Sequence, residues 1–156
     1  MGESMNTAAR AEDVETLDGI LRAFYEVISG PAGAPRQWKR DRTLYIPGVR
    51  FVSIKVVKGE ENPEVEILDH EQYSTKRAPV FEKGFFEEEI HRVVRRYGNI
   101  AHVFSTYEMK DYPDGLVTGR GLNSLELYFD GRRWWIAAAV WQKETSEYPL
   151  PKEFLP

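Results

Sequence analysis

Two groups of side chains in this 156-residue chain have the types and spacing to do chemistry. The first is His102 with Glu126. In the strand register argued below they stand opposite one another. There a carboxylate would fix the imidazole tautomer and raise its pKa, giving a general-base dyad. The same pair also fits a structural role, as a cross-strand contact in a subunit interface. The second group is Tyr25, Ser105, Tyr107 and Asn123, with Trp134 on the same sheet face. Hydroxyls and an amide converging at one end of an apolar surface could bind the polar group of a small molecule, or could satisfy one another. Asp69, His70 and Glu71 are adjacent and cannot all point one way, so no metal site is expected and no cofactor is assigned. His70 and His91 lie on polar segments and read as solvent-facing. No phosphate loop, nucleophile motif or dinucleotide fingerprint occurs. The chain has no cysteine, which excludes disulfides and thiolate catalysis.

The elements that must position these residues centre on 99–143. Two apolar-aromatic runs meet at Asp130-Gly131, a strong hairpin signal, and a third run lies upstream. The segment predicts a three-stranded antiparallel meander. A two-residue turn sets Phe129 opposite Arg132, Leu127 opposite Trp134 and Leu125 opposite Ile136. Upstream, placing Glu108 opposite Arg120 also sets His102 opposite Glu126, Val103 opposite Leu125 and Ala101 opposite Leu127. One face then carries Ala101, Val103, Leu125, Leu127, Trp134, Ile136 and Val140, the core. The other carries His102, Phe104, Glu126, Tyr128, Trp135 and Trp141. Tryptophans beside charges suit a buried surface, so the expectation is a homodimer through Phe104, Tyr128, Trp135 and Trp141, with Ala137 and Ala139 between them.

Elsewhere, 11–29 reads as an amphipathic helix stopped by Gly30-Pro31. Residues 37–45 read as a short basic helix or turn, with Arg36, Lys39, Arg40 and Arg42 as a possible anion-attracting rim. Residues 50–58 and 64–68 suggest a hairpin, and 69–79 a polar connection. Residues 85–97 fit a second helix, with Phe86, Ile90, Val93, Val94 and Tyr97 as its stripe, acids early, bases late and Gly98 as its stop. Residues 1–10 read as frayed, and 146–156 as an extended, proline-rich surface tail. The whole predicts one domain, 1–156. A hydrophobic content of 42% is globular. The net charge of −4 argues against nucleic-acid binding. Neither a membrane-spanning run nor a signal pattern is evident, so a cytoplasmic protein is expected.

The phrases YGNIAHVFSTYE and RGLNSLELYFDGRRWWIAAAVWQ, and more weakly LDGILRAFYEVI, resemble the nuclear transport factor 2-like superfamily, the cystatin-like cone fold. The glycine-led strand and the D-G turn before WWI look like its polyketide-cyclase-like (SnoaL-like) branch. The resemblance implies an α+β fold, with a curved antiparallel sheet wrapped around N-terminal helices and ending in the meander. It also implies an apolar pocket for a small molecule between sheet and helices. Function is then a small-molecule-binding domain or, alternatively, a lyase, isomerase or cyclase acting on a hydrophobic carbonyl compound. In ketosteroid isomerase-like members a pocket aspartate is the base, and a tyrosine with a protonated aspartate donates to the oxyanion. Tyr25 matches the tyrosine, but YIPGVR at 45–50 carries no acid, and Asn123 or Ser124 stands where the second aspartate would fall. The isomerase constellation is therefore not supported.

Overall fold

The computed structural model describes residues 8–156, so most of the expected frayed start lies outside the described residues. The N-terminal helical region is broken in two, α1 (Ala11–Val14) and α2 (Leu17–Glu26). Thr16 causes the break: its backbone is extended and its hydroxyl accepts from the Gly19 amide at 2.9 Å, capping α2. Gly19 is required there, since a Cβ would stand 2.3 Å from the Glu12 carbonyl of α1. A short α3 (Trp38–Arg42) leads into β1 (Tyr45–Lys55), which forms the expected hairpin with β2 (Glu64–Leu68).

The next two elements differ from the sequence reading. Residues 70–77 are not plain connection but α4 (His70–Arg77). Asp69 accepts from the Gln72 amide while Gln72 reaches back to the Asp69 amide, a complete capping box. With only Tyr73 apolar, α4 has no stripe for periodicity to detect. Residues 86–97 are not a helix but the edge strand β3 (Phe86–Tyr97). It pairs antiparallel with β4 (Ile100–Lys110) through the Gly98-Asn99 turn, where Gly98 has φ +54. The acids that suggested a helix N-terminus serve across the strands instead, as in Glu88 with Lys110 at 3.0 Å.

The meander β4–β5–β6 closes the fold, with β5 at Val117–Phe129 and β6 at Trp134–Lys143. Between β4 and β5 the register is the expected one, including His102 opposite Glu126 and Glu108 opposite Arg120. Between β5 and β6 it differs twice. The turn takes four residues, Asp130 to Arg133, because the Asp130 carboxylate accepts from the amides of Arg132 (2.8 Å) and Arg133 (2.9 Å). Phe129 therefore pairs with Trp134, not Arg132. Ala137 is then an unpaired bulge, so Leu127 faces Ile136 but Leu125 faces Ala139. Beyond the bulge the faces exchange: Ala139 and Trp141 turn inward, and Val140 turns outward and is exposed.

The sheet order is β2-β1-β6-β5-β4-β3, antiparallel except for β1 beside β6. Four register shifts bend it. Its inner face packs on α2 and α4, and Ile20, Leu21, Leu44, Phe51, Val103, Leu125 and Ile136 form the core floor. The tail crosses the outer face and ends in a 3-10 turn, Lys152–Phe154. There Phe154 lies 4.9 Å from Phe104 and its carbonyl accepts from Thr106 at 2.6 Å. Arg36 is a buried cross-link, donating to the carbonyls of Gly30, Pro31, Ala34, Phe81 and Lys83.

The capping box is what starts α4. Asp69→Ala should lower unfolding free energy by about 1 kcal/mol, read as a lower urea midpoint at unchanged slope. An unchanged midpoint would remove the cap from this account.

Candidate functional site

The Tyr25 hydroxyl projects from α2 against the sheet. It lies 2.6 Å from Ser105 Oγ and accepts from Asn123 Nδ2 at 3.0 Å. Ser105 in turn donates to the Glu89 carboxylate, which Arg92 holds at 2.6 Å. Direction follows from the inventory: Glu89 only accepts, so Ser105 donates to it and Tyr25 donates to Ser105. Burial raises the Tyr25 pKa well above the ordinary phenol value, so its proton stays in this relay.

Beside the relay is a cavity of about 420 Å³ between the sheet, α2 and the stretch from α4 to Phe85. Its walls are aromatic. Phe51 and Tyr73 stack with centroids 4.5 Å apart, Trp141 stands edge-on to Tyr73 at 5.8 Å, and Phe81 and Phe85 meet at 4.9 Å. Polar groups enter from several elements, among them Tyr73 and Arg77 from α4, Glu87 from β3, Tyr107 from β4 and Asn123 from β5. The Tyr73 and Tyr107 hydroxyls make no hydrogen bond among the described residues. Tyr107 can lie across β5 because residue 121 is glycine; a Cβ there would sit 2.2 Å from the phenol oxygen. Arg77 covers the rings of Trp141 (5.4 Å) and Tyr73 (5.9 Å).

Glu87 is the titratable centre of this space. Ser29 fixes its backbone, accepting from the Glu87 amide at 3.1 Å and donating to the Tyr25 carbonyl at 2.8 Å. Part of the residue remains accessible from the hollows it lines, but its carboxyl is enclosed. Burial pushes its pKa up to about 8, with Arg77 and the Asn123 amide only partly offsetting this. A shallower hollow on its other side is edged by charges already paired to one another, Arg92 with Glu89 and Lys110 with Glu88.

Of the residues singled out in the sequence, Asn123 and Tyr107 line the cavity, and Tyr25 and Ser105 stand behind it in the relay. Trp134 is elsewhere on the inner face, buried against Phe129 (5.6 Å) beneath Arg96 (4.9 Å). His102 and Glu126 lie on the outer face, away from the cavity. They do not bond; the imidazole takes Ser124 at 2.9 Å, so the dyad weighed as an alternative is not made. The outer face is also less aromatic than expected, because Trp141 has turned inward and Phe104 is covered by Phe154. Trp135 remains there, capped by Arg133 at 3.5 Å and bonded to Asp130 at 2.9 Å. The supposed anion rim is largely neutralised, since Arg40 pairs with Asp13 and Glu26, both at 2.8 Å.

His70 is not solvent-facing. It is buried and bonds Asp41 at 2.7 Å, behind Phe51 and Tyr45 and outside the cavity lining. Burial raises the Asp41 pKa, opposed by His70. No three metal-ligating side chains converge among the described residues. Glu87 itself was missed because its segment reads as a helix; the Gly98-Asn99 hairpin signal could have placed it on a strand.

No family model and no curated protein sequence matches the chain. Solved structures do. A protein of unknown function from Nostoc punctiforme with a cystatin-like fold superposes with a TM-score of 0.61 at 10% identity, over 90% of this chain and 97% of that one. A nuclear transport factor 2-like protein of unknown function from Silicibacter pomeroyi gives 0.55 at 14% identity, over 82% and 92%. The chain has the nuclear transport factor 2-like fold. A ketosteroid isomerase-like protein from Parabacteroides distasonis shares it, at a TM-score of 0.53 and 15% identity over 92% and 99%. Within this nuclear transport factor 2-like fold the cavity occupies the inner side of the sheet, and its carboxyl comes from β3, not from 45–50 or from position 123. Among the described residues no helix is long and apolar enough to cross a membrane.

The raised pKa of Glu87 has a definite sign in stability. The unfolded chain ionises this carboxyl near the ordinary glutamate value of 4.5, but the folded protein keeps its proton until about pH 8. Its contribution is therefore fully present below pH 4.5 and is lost as pH rises to 8. Glu87→Gln cannot ionise. Its stability relative to wild type should rise through that window by about 5 kcal/mol and then level. Urea melts across the pH range would detect this, and a pH-independent difference would refute the raised pKa.

Proposed function

We propose that the protein binds a small, largely planar apolar molecule carrying a carbonyl-type polar group in the cavity walled by Phe51, Tyr73 and Trp141. The observation that carries this reading is an aromatic enclosure of about 420 Å³ into which the Tyr73 and Tyr107 hydroxyls, unbonded among the described residues, and the Glu87 carboxyl project. The flat walls suit a flat ligand, and the two free hydroxyls suit an acceptor on it. The test is titration of the full chain with 2-acetonaphthone, an aryl methyl ketone, following tryptophan fluorescence. Saturable quenching that Trp141→Phe abolishes is expected. Unsaturated quenching to the ketone's solubility limit, or quenching that survives Trp141→Phe, would defeat the reading.

A second reading adds catalysis, favoured specifically by Glu87. A carboxyl with a pKa of about 8 is poised to exchange protons near neutrality. Ionised Glu87 would take a proton from the carbon beside the carbonyl. The C–H electron pair would pass to the carbonyl, leaving an enolate whose oxygen the Tyr107 hydroxyl could bond. Return of the proton from Glu87, at the same or a conjugated carbon, completes an isomerase- or cyclase-type cycle. The ketosteroid isomerase-like neighbour and the polyketide-cyclase-like resemblance support this by fold analogy alone.

In deuterium oxide the wild type should then exchange the methyl protons of 2-acetonaphthone about 10²-fold faster than Glu87→Gln. The rate should rise with pH and level above about 8, as Glu87 ionises. Equal rates in the two proteins, followed by proton NMR, would leave binding without catalysis.

A further inference from the structure

The charges lining the cavity are lopsided. Glu87 is its one acidic residue, whereas Lys55, Arg77 and Lys143 all line it. These cations come from separate elements and meet for structural reasons. Ile54 pairs with Gln142 in the parallel β1–β6 ladder, so Lys55 and Lys143 leave adjacent strand ends together. On each strand alternation puts the lysine on the face of the cavity aromatics, Phe51 on β1 and Trp141 on β6. That phase on β6 exists only because of the Ala137 bulge. The Lys143 stem is held over residue 119, where a Cβ would come within 2.7 Å of its Cε. Arg77 arrives from the last turn of α4, its guanidinium 5.4 Å from the Trp141 ring centre and 5.9 Å from that of Tyr73.

Some other cations of the protein are matched by carboxylates. Arg40 has Asp13 and Glu26, Arg92 has Asp18 and Glu89, Arg120 has Glu144, and Lys76, the neighbour of Arg77, has Glu66. Lys55, Arg77 and Lys143 have no carboxylate within ion-pair distance among the described residues. On a chain of net charge −4 this makes the cavity a local positive focus. Arg77 also leaves its guanidinium edge unused, and that planar fork matches a carboxylate. Glu87 does not cancel these charges at neutral pH, because most molecules hold it protonated.

We infer that the ligand is an aromatic carboxylate, with its ring system against Phe51, Tyr73 and Trp141 and its carboxylate at Arg77, Lys55 and Lys143. This rests on the binding reading above and narrows it to anions. A carboxylate on Arg77 would also weaken the one cation that favours ionised Glu87, so binding would be accompanied by proton uptake.

The experiment compares 2-naphthoate with 2-acetonaphthone, a neutral molecule of nearly the same shape, titrated into the full chain at low and at high salt. At low salt the naphthoate should bind at least tenfold more tightly, with the advantage shrinking as salt screens it. The double variant Lys55→Gln/Lys143→Gln changes only exposed side chains and should retain its fold. It should lose most of the advantage, its affinity for naphthoate falling far more than its affinity for acetonaphthone. Arg77→Gln should abolish the advantage, and Arg77→Lys should restore part of it. Equal affinity for the two ligands, or an advantage untouched by these substitutions, overturns the inference and leaves the cavity reading standing. If neither compound binds at millimolar concentration, the cavity reading falls and this inference with it.

Discussion

Ala137 opposes no residue of β5, and everything beyond it on β6 faces the opposite way. Much of the molecule depends on this one unpaired residue. Without it Val140 would point at the core and Trp141 at the outer surface. With it Ala139 fits at the floor beside Phe51 with no exposure, and the Trp141 indole closes a wall of the cavity. The parallel partner β1 fixes the change in place, because Phe51 and Ser53 pair with Ala139 and Trp141. A bulge on a free edge could slide. One held between two neighbours cannot move without breaking both ladders.

β3 presents two carboxylates to the inner side, two positions apart, in opposite surroundings. Glu89 has Arg92 at 2.6 Å and the Ser105 hydroxyl. Glu87 has aromatic neighbours, an amide, and a cation committed to covering Trp141 and Tyr73. The first is a structural anion that orients a relay. The second is a carboxyl for which neutrality is the easier state. Environment, not residue type, divides these roles. Keeping Tyr25 in the relay also leaves Tyr107 and Tyr73 as the phenols that a molecule in the cavity would meet.

The legible and illegible parts of the chain separate on physical grounds. The β4–β5 register was legible because charge pairs and aliphatic pairs agree on one alignment, and Tyr107, Ser105 and Asn123 follow from it. The bulge was not: in the run IAAAV any of three identical alanines could be the extra residue. The turn length was hidden by Asp130, whose side chain stabilises a longer loop than Asp-Gly alone suggests. β3 imitated a helix because it is an edge strand. Edges carry charges that discourage further pairing, and here the charges fell at helical spacing beside Phe86, Ile90 and Val93. That misreading concealed Glu87. Asp41 and His70 were hidden differently, as polar residues from two short helices that meet only in the folded chain.

Arg36 has a mechanical meaning for the cavity. Its guanidinium gathers carbonyls from Gly30, Pro31 and Ala34 on one loop and from Phe81 and Lys83 on another. A planar cation with several donors does here what a strand ladder does elsewhere, and a lysine, a single point of charge, could not reach so many acceptors at once. The two loops are riveted into one plate, and Phe81 belongs to it. The Phe81 side of the enclosure therefore behaves as a fixed jamb. Any breathing that admits a molecule is left to elements this plate does not hold, such as the last turn of α4, whose Arg77 rests on the Trp141 and Tyr73 rings.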